Sequence, residues 1–256
     1  MSDYTSNRNF MKSEFAESVH KVSDQANDVP YPPLQKPLPE GDLTLIDLPD
    51  PNADLMSKPD FHRLLLERQS RRKFTKESIS MAELSYLLWS TQGVIAELGM
   101  GYASRRPVPS GGARHPFETY LAINRVEGLE SGIYRYLPFS HQLYFIEATK
   151  NLPGALTVAN LGQKFVGNSA VVFAWSCIPY RAEWRYMQYA HKNMLLDAGH
   201  ICQNLYLAVE ALGLGTCAIG AYDQAAMDAI FELDGDDEYI IYLAPVGKIP
   251  EPRVSR

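Results

Sequence analysis

Glu67-Arg68-Gln69-Ser70-Arg71-Arg72-Lys73-Phe74 places three arginines and a hydroxyl within five positions, directly after an apolar segment of helical spacing. Guanidinium groups bind phosphate oxygens in a bidentate fork, and Ser70 with neighbouring backbone N–H groups adds donors, so the cluster suits a phosphate. A solvated basic helix end is the plainer reading of the same residues. Further on, Arg106-Pro107-Val108-Pro109-Ser110-Gly111-Gly112-Ala113-Arg114-His115-Pro116-Phe117-Glu118-Thr119-Tyr120-Leu121 is a small-residue loop running into a β-prone segment. Its glycines let backbone approach a flat ligand closely.

Together these two stretches resemble the flavin-binding pattern of the nitroreductase-like FMN oxidoreductases, and within them the SagB-type dehydrogenase branch. The resemblance continues through Asp197-Ala198-Gly199-His200, Gln203-Asn204-Leu205, Gly213-Leu214-Gly215, Ala218-Ile219-Gly220-Ala221-Tyr222-Asp223 and Pro245-Val246-Gly247, in matching order from about residue 56 onward. It implies an α+β, nitroreductase-like fold: a mixed, mostly antiparallel sheet flanked by helices, in a homodimer with flavin at the interface. It also implies FMN as cofactor, with hydride passing through flavin N5 between an organic substrate or NAD(P)H and a second acceptor.

Carried over residue by residue, the resemblance gives Arg68, Ser70 and Arg72 to the FMN phosphate and ribityl chain. Gln69 stands where the family often has a basic or imidazole side chain, and Arg71 lies between matched positions, facing solvent. Pro109, Ser110, Gly111 and Gly112 match the loop along the isoalloxazine ring. Gly220 and Ala221 match the loop whose N–H groups reach N5, where fixed dipoles stabilise arriving charge. Arg253 loosely matches a basic residue that reaches the phosphate from the end of the chain, and an untethered tail is the plainer reading beside it. In SagB-type azoline dehydrogenases a Lys-Tyr pair is implicated in deprotonating the substrate, and the matching pair here is Arg185-Tyr186. Arginine stays protonated and cannot act as the base, so a catalytic role falls on Tyr186 or another residue, and simple packing of the Trp184-Arg185-Tyr186 cluster stands beside it. His200, near Gln203 on one helical face, reads as a hydrogen-bonded core histidine ahead of a proton shuttle.

Composition sets bounds on this. The chain has 256 residues, 46% hydrophobic and 21% charged, close to the globular average. A formal net charge of −6 argues against a nucleic-acid track, so the basic cluster is local. Cys177, Cys202 and Cys217 show no paired spacing and read as buried thiols in a reducing compartment. The beginning of the chain lacks a signal-peptide pattern and no apolar run suits a bilayer, which makes a cytoplasmic protein without membrane contact the expectation. The histidines show no metal-ligand spacing, so no metal is expected.

Residues 1–55 are polar and rich in proline and read as an extended arm draped over a surface or a partner subunit, with 56–256 as the flavin-binding domain. A short helix fits Asn9 to Val22. Helices are predicted over Asp60–Arg68, where Phe61, Leu64, Leu65 and Leu66 supply the apolar face, and over Met81–Gln92 with a Ser80/Glu83 capping box. Strands are predicted over Glu118–Val126, in a hairpin of Gly132–Tyr136 and Gln142–Ile146, and over Ala170–Trp175 as a buried central strand. The longest helix should run from about Tyr186 to Leu212 and stop at Gly213, followed by strands Thr216–Ile219 and Tyr239–Val246 around a helix Asp223–Phe231. Gly213-Leu214-Gly215-Thr216-Cys217-Ala218 fits G-x-G-x-x-A, but it ends a helix and enters a strand, the reverse of a dinucleotide site. The same residues also suit a non-catalytic protein of this fold: a flavin- or nucleotide-binding sensor or assembly subunit that docks a peptide or protein partner. In the enzyme reading the substrate is a small molecule or a peptide.

Overall fold

In the computed structural model, residues 5–13 and 21–250 are described. The chain begins with α1 (Thr5–Phe10) and an extended stretch that ends in β1 (Thr44–Asp47). Asp60 caps α2 (Phe61–Glu67) by accepting the Arg63 N–H at 2.7 Å. Ser80 caps α3 (Met81–Gln92) in the reciprocal way its sequence predicts. Ser80 Oγ accepts the Glu83 N–H at 3.1 Å, and Glu83 Oε2 accepts the Ser80 N–H at 2.8 Å. A short hairpin of β2 (Ala96–Leu98) and β3 (Ala103–Arg105) leads to β4 (Phe117–Ile123). The predicted hairpin is β5 (Gly132–Leu137) and β6 (Gln142–Glu147), followed by α4 (Leu152–Ala159) and α5 (Lys164–Gly167). Next come β7 (Val171–Cys177), α6 (Tyr180–Tyr186), α7 (Ala190–Ala211) and β8 (Leu214–Thr216). The last elements are α8 (Gln224–Ile230), capped by Asp223, and β9 (Tyr239–Lys248).

Seven strands form one sheet in the order β1-β6-β5-β4-β7-β9-β8. Its pairings are antiparallel, and a parallel contact occurs in the isolated bridge Ile79–Val126. The apolar run read as a central strand is β7, buried along its whole length between β4 and β9. Its side chains alternate between two cores. Val171, Phe173 and Trp175 join Leu84, Leu87 and Leu88 of α3 and Ile201, Cys202 and Leu205 of α7. Val172 and Ala174 join Leu156 of α4, Met227 of α8 and Phe231. Each fully buried aliphatic or aromatic side chain is worth about 1.5–3 kcal/mol of transfer free energy, so a strand buried on both faces fixes the centre of the sheet. Cys177, Cys202 and Cys217 are buried free thiols. Among the described residues no helix is long and apolar enough to cross a membrane.

The proline-rich arm lies on this chain's own surface. Prolines offer carbonyls and no N–H, and nearby guanidinium groups use what the segment presents: Arg106 Nη2 donates to the Leu34 carbonyl at 3.3 Å and Arg135 Nη2 to the Pro37 carbonyl at 3.2 Å. The Lys36 N–H donates to Glu118 at 2.7 Å, and Lys36 Nζ pairs with Glu238. Beyond this, β1 completes the sheet edge on β6.

Several expectations are corrected. On α2 only Leu64 is buried, whereas Phe61, Leu65 and Leu66 are exposed, because the helix touches the body along one narrow line. The long helix begins at Ala190 and not at Tyr186. Apolar periodicity runs on through the junction, but Met187 takes φ 53° and ψ −143°, which separates α6 from α7. β8 covers Leu214–Thr216, and Ile219 makes only an isolated bridge to Leu243. Residues 14–20 of the expected Asn9–Val22 helix lie outside the described residues, and α1 precedes them. Arg71 does not face solvent: its guanidinium pairs with Glu210 of α7, which Lys58 also reaches at 2.8 Å.

Glu210 is buried, which pushes its carboxyl up, but the bonds from Arg71 and Lys58 outweigh burial and hold it below the ordinary glutamate value of 4.5. A carboxyl lowered on folding contributes stability above its unfolded value and loses it as pH falls through the folded one. Glu210→Gln should therefore cost about 1–3 kcal/mol at pH 7, a deficit that shrinks progressively as pH falls below 4.5. Urea unfolding across that range checks this, and a deficit that stays constant down to the acid limit of folding would refute the pairing.

Candidate functional site

Beyond α2 the chain turns extended at Arg68, and the Arg71 N–H donates to the Thr216 carbonyl at 2.8 Å, which lays the arginine segment beside β8. Tyr206 of α7 gathers the rest. Its hydroxyl lies 2.9 Å from Ser70 Oγ and accepts the Ala218 N–H at 2.8 Å, while the Arg68 guanidinium sits 5.3 Å from its ring centroid. Arg72 lies 6.0 Å from the ring centroid of Phe165, and Gln163, two residues before that ring, donates to the Ala221 carbonyl at 3.0 Å. Arg68, Ser70, Arg72, Gly220 and Ala221 are thus drawn to one edge of the molecule.

The chemistry of this cluster is one-sided. Among the described residues Arg68 and Arg72 form no ion pair, in contrast to Arg71 between them. The N–H groups of Gly220 and Ala221 donate to nothing among the described residues, and a Cβ on Gly220 would meet open space. Free guanidinium groups and free amides on an open edge form a donor set with no acceptor, suited to an anion. Tyr206 and Phe165 carry no distinguishing signal in the sequence, where an aromatic at a helical or loop position reads as ordinary packing.

The Pro109–Gly112 loop is held from α7. Ser110 Oγ donates to Asp197 at 2.6 Å and accepts the His115 N–H at 2.9 Å, and the Gly111 N–H donates to Asp197 at 3.1 Å. The Ser110 hydroxyl is therefore engaged inside the protein, and Pro109 is the exposed member of the loop. Burial raises the Asp197 carboxyl, with the Ser110 and Gly111 bonds pulling the other way. Gly112 is required by its neighbour: at φ 62°, a Cβ there would come within 2.5 Å of the Tyr186 hydroxyl and 3.2 Å of Arg185 Cδ. Arg185 and Tyr186 thus lean on the loop as the last residues of α6. Arg185 Nη1 donates to the Tyr102 hydroxyl at 3.1 Å, and the strained Met187 that follows costs about 1–3 kcal/mol.

Asp197 and Tyr206 lie nine positions apart on α7. That is about 13.5 Å along the helix and half a turn around it, so one chain holds its Ser110 loop and its arginine cluster on opposite sides of α7. His200 is not a core histidine: it is exposed, with Nδ1 3.9 Å from Asp197 Oδ1, because the exposed stripe of α7 runs through Leu196, His200 and Gln203. Arg253 lies outside the described residues.

The sequence profile of the nitroreductase family matches residues 65–248. A protein of Methanocaldococcus jannaschii provisionally named a nitroreductase is 30% identical over 208 residues, 81% of this chain and 98% of the relative. The trifolitoxin-processing protein TfxB of Rhizobium leguminosarum is 32% identical over 134 residues, 51% of this chain and 36% of that longer protein. Among solved structures, one from Ralstonia eutropha provisionally described as a nitroreductase superposes with a TM-score of 0.67 at 25% identity, covering 87% of this chain and all of that one. Another such protein, from Desulfovibrio desulfuricans and solved in complex with FMN, gives a TM-score of 0.52 at 17% identity, covering 78% and 92% of the two chains.

His115 closes the loop. Its Nε2–H donates to the Ser104 carbonyl at 3.0 Å, and burial first, then the charge of Arg106, pushes the imidazole down to about 3 from 6.5. A group lowered in this way supports the fold above 6.5 and withdraws that support as pH falls toward 3, by about 1.4 kcal/mol per pH unit. Stability followed by urea unfolding should decline between pH 6 and 4 in the native protein and less steeply in His115→Gln. Parallel profiles would show that His115 is not the group responsible.

Proposed function

Because this chain belongs to the nitroreductase family, we propose that it is an FMN-dependent oxidoreductase of the SagB-type dehydrogenase branch. The observation that carries the reading is the donor set of Arg68, Ser70, Arg72, Gly220 and Ala221: among the described residues, two guanidinium groups without carboxylates beside two amides without acceptors. In this reading Arg68 and Arg72 hold the phosphate, Ser70 donates to phosphate or ribityl oxygens, and the Gly220 and Ala221 N–H groups face the ring near N5. When bound, FMN supplies the centre that accepts hydride from one substrate and delivers electrons to the next. The amides are fixed by β8 and the Ala218–Tyr206 bond, so they stabilise charge near N5 without reorganising.

The same reading includes a homodimer, which the family resemblance implies. A second copy seated on the exposed stripe of α7, with Leu195, Leu196 and Gln203, would bring its own Pro109–Gly112 loop to the ring edge of the first copy's cluster. Arg185 and Tyr186 would then travel with that loop toward the reacting face. Tyr186 is the residue able to move a proton there, with Arg185 holding an anionic or carbonyl group of the substrate. The likeness to a trifolitoxin-processing protein favours a peptide or another organic molecule as substrate, and NAD(P)H is the alternative electron donor. A non-catalytic sensor or assembly subunit would bind FMN through the same cluster and show no turnover with an artificial electron acceptor.

Arg68→Ala combined with Arg72→Ala should weaken FMN binding by about two to four orders of magnitude, since each charge-assisted contact contributes about 1.5–3 kcal/mol, while removing no core volume. Arg71→Ala should keep its flavin and lose stability instead. Measured by released flavin fluorescence, stoichiometric FMN in the double variant would overturn the assignment. Anaerobic addition of NADH or NADPH to the flavin-loaded protein tests the donor: bleaching of the visible spectrum indicates a nicotinamide-driven reductase, and an oxidised spectrum indicates an organic substrate as the hydride source.

A further inference from the structure

A cavity of about 420 Å³ opens beside the Ser110 loop. Leu98 and Arg105 of the β2–β3 hairpin line it, together with Pro107, Val108, Pro109 and Ala113. Across the hairpin Leu98 lies opposite Ala103, and Arg105 lies opposite Ala96. Residues directly opposite in an antiparallel pair share a face, so an exposed leucine and an exposed guanidinium stand on the same side of the hairpin. The wall they form is held at both ends. The Tyr31 hydroxyl donates to the Met100 carbonyl at the tip at 3.0 Å, and the Ile95 N–H donates to the Arg105 carbonyl at 2.8 Å.

No carboxylate lines this cavity. Glu97, the acid of the hairpin, lies opposite Ser104 and therefore on the other face, and it forms no ion pair with Arg105. Arg106 also borders the cavity, but it is buried and donates to Ser104 Oγ, Gln92 Oε1 and the Leu34 carbonyl. His115, likewise in the wall, is neutral at pH 7, since burial and Arg106 push it down to about 3. Arg105 is thus the accessible charge of the cavity, exposed and without a side-chain hydrogen bond or ion pair among the described residues. Water satisfies such a group when nothing is bound. A carboxylate replaces that water with two parallel charge-assisted bonds, and the body attached to it covers Leu98 and the prolines.

We propose that this cavity recognises the substrate, that the substrate carries a carboxylate on an apolar body, and that Arg105 determines this specificity. The inference rests on the flavin reading, in which the Ser110 loop meets the ring edge of the partner copy's flavin, and it adds to that reading the class of substrate. One accessible cation matches one negative charge, and the volume falls within the range of ligand sites, about 300–1,000 Å³. With the carboxylate on Arg105, the role left to Arg185 is the carbonyl group. A peptide C-terminus and a free organic acid present the same chemistry to the cavity.

Isothermal titration of the full-length, oxidised, flavin-loaded protein with hydrocinnamate, uncharged hydrocinnamamide and N-acetylphenylalanine tests it, with the visible spectrum recorded alongside. Hydrocinnamate should bind about ten-fold or more tighter than the amide and shift the flavin bands. Arg105→Gln should remove the preference for the acid while keeping the bound flavin and the affinity for the amide, and Arg105→Lys should restore part of that preference. Leu98→Trp, which fills the cavity and leaves Arg105 intact, should weaken acid and amide alike by about ten-fold or more. Tighter binding of N-acetylphenylalanine than of hydrocinnamate assigns the site to a peptide C-terminus, and the reverse order assigns it to a free acid. Equal affinity for acid and amide, a preference that survives in Arg105→Gln, binding that leaves the flavin spectrum unchanged, or no binding at millimolar concentration would each overturn the proposal. A native protein that holds no FMN would sink the flavin reading and this inference with it, whereas a flavin-loaded protein indifferent to the carboxylate would sink this inference alone.

Discussion

Helix α7 lies buried along one side against the sheet, and much of the candidate site is hung from it. Its apolar residues Ile201, Cys202 and Leu205 belong to the core shared with Phe173 and Trp175, which fixes the helix in place. Its polar residues can then act as fixed anchors. Asp197 holds the Ser110 loop, Tyr206 holds Ser70 and the Ala218 amide, and Glu210 holds Arg71 and Lys58. None of these loops packs a core of its own, and without the anchors each would lose the contact that defines it.

Matched and unmatched cations alternate through the molecule. Arg71 is matched by a carboxylate, whereas among the described residues its neighbours Arg68 and Arg72 are not. Arg181 and Lys36 are matched by Glu118 and Glu238. Buried ion pairs add little net stability, because desolvation offsets their attraction, but they specify which charges stay available. In this molecule Arg68 and Arg72 stay available at an open edge.

The arm contributes to the site from a distance. Tyr180 donates to Asp24 at 2.8 Å, the Gln25 N–H donates to the Trp184 carbonyl at 3.0 Å, and Trp184 Nε1 donates to the Val29 carbonyl at 2.8 Å. These bonds clasp α6, whose last turn presents Arg185 and Tyr186 to Gly112. Arg114, fully buried 5.0 Å from the Trp184 ring centroid and 5.5 Å from that of Tyr102, ties the same helix to the glycine loop. Prolines in the arm suit this use, since a segment with few N–H groups can lie against a body without leaving donors unsatisfied.

Local rules made part of this legible in the sequence. The Ser80/Glu83 capping box, the Gly213 stop, the β5–β6 hairpin and the central run of β7 depend on neighbours a few residues apart, and the spacing of the motifs carried the family. The chain could not show from its order alone that Arg71 is taken while Arg68 has no carboxylate among the described residues, that His200 is exposed, or that Met187 breaks the long helix. Each of those depends on a partner 3 to 139 positions away or on backbone strain held by packing, as with Glu210 for Arg71 and Asp197 for His200. Sequence by itself determined which residue types and short-range patterns were on offer. Tertiary structure decided which charges find partners, because pairing and burial are properties of neighbours in space, and those neighbours exist only once α7 has closed on the sheet.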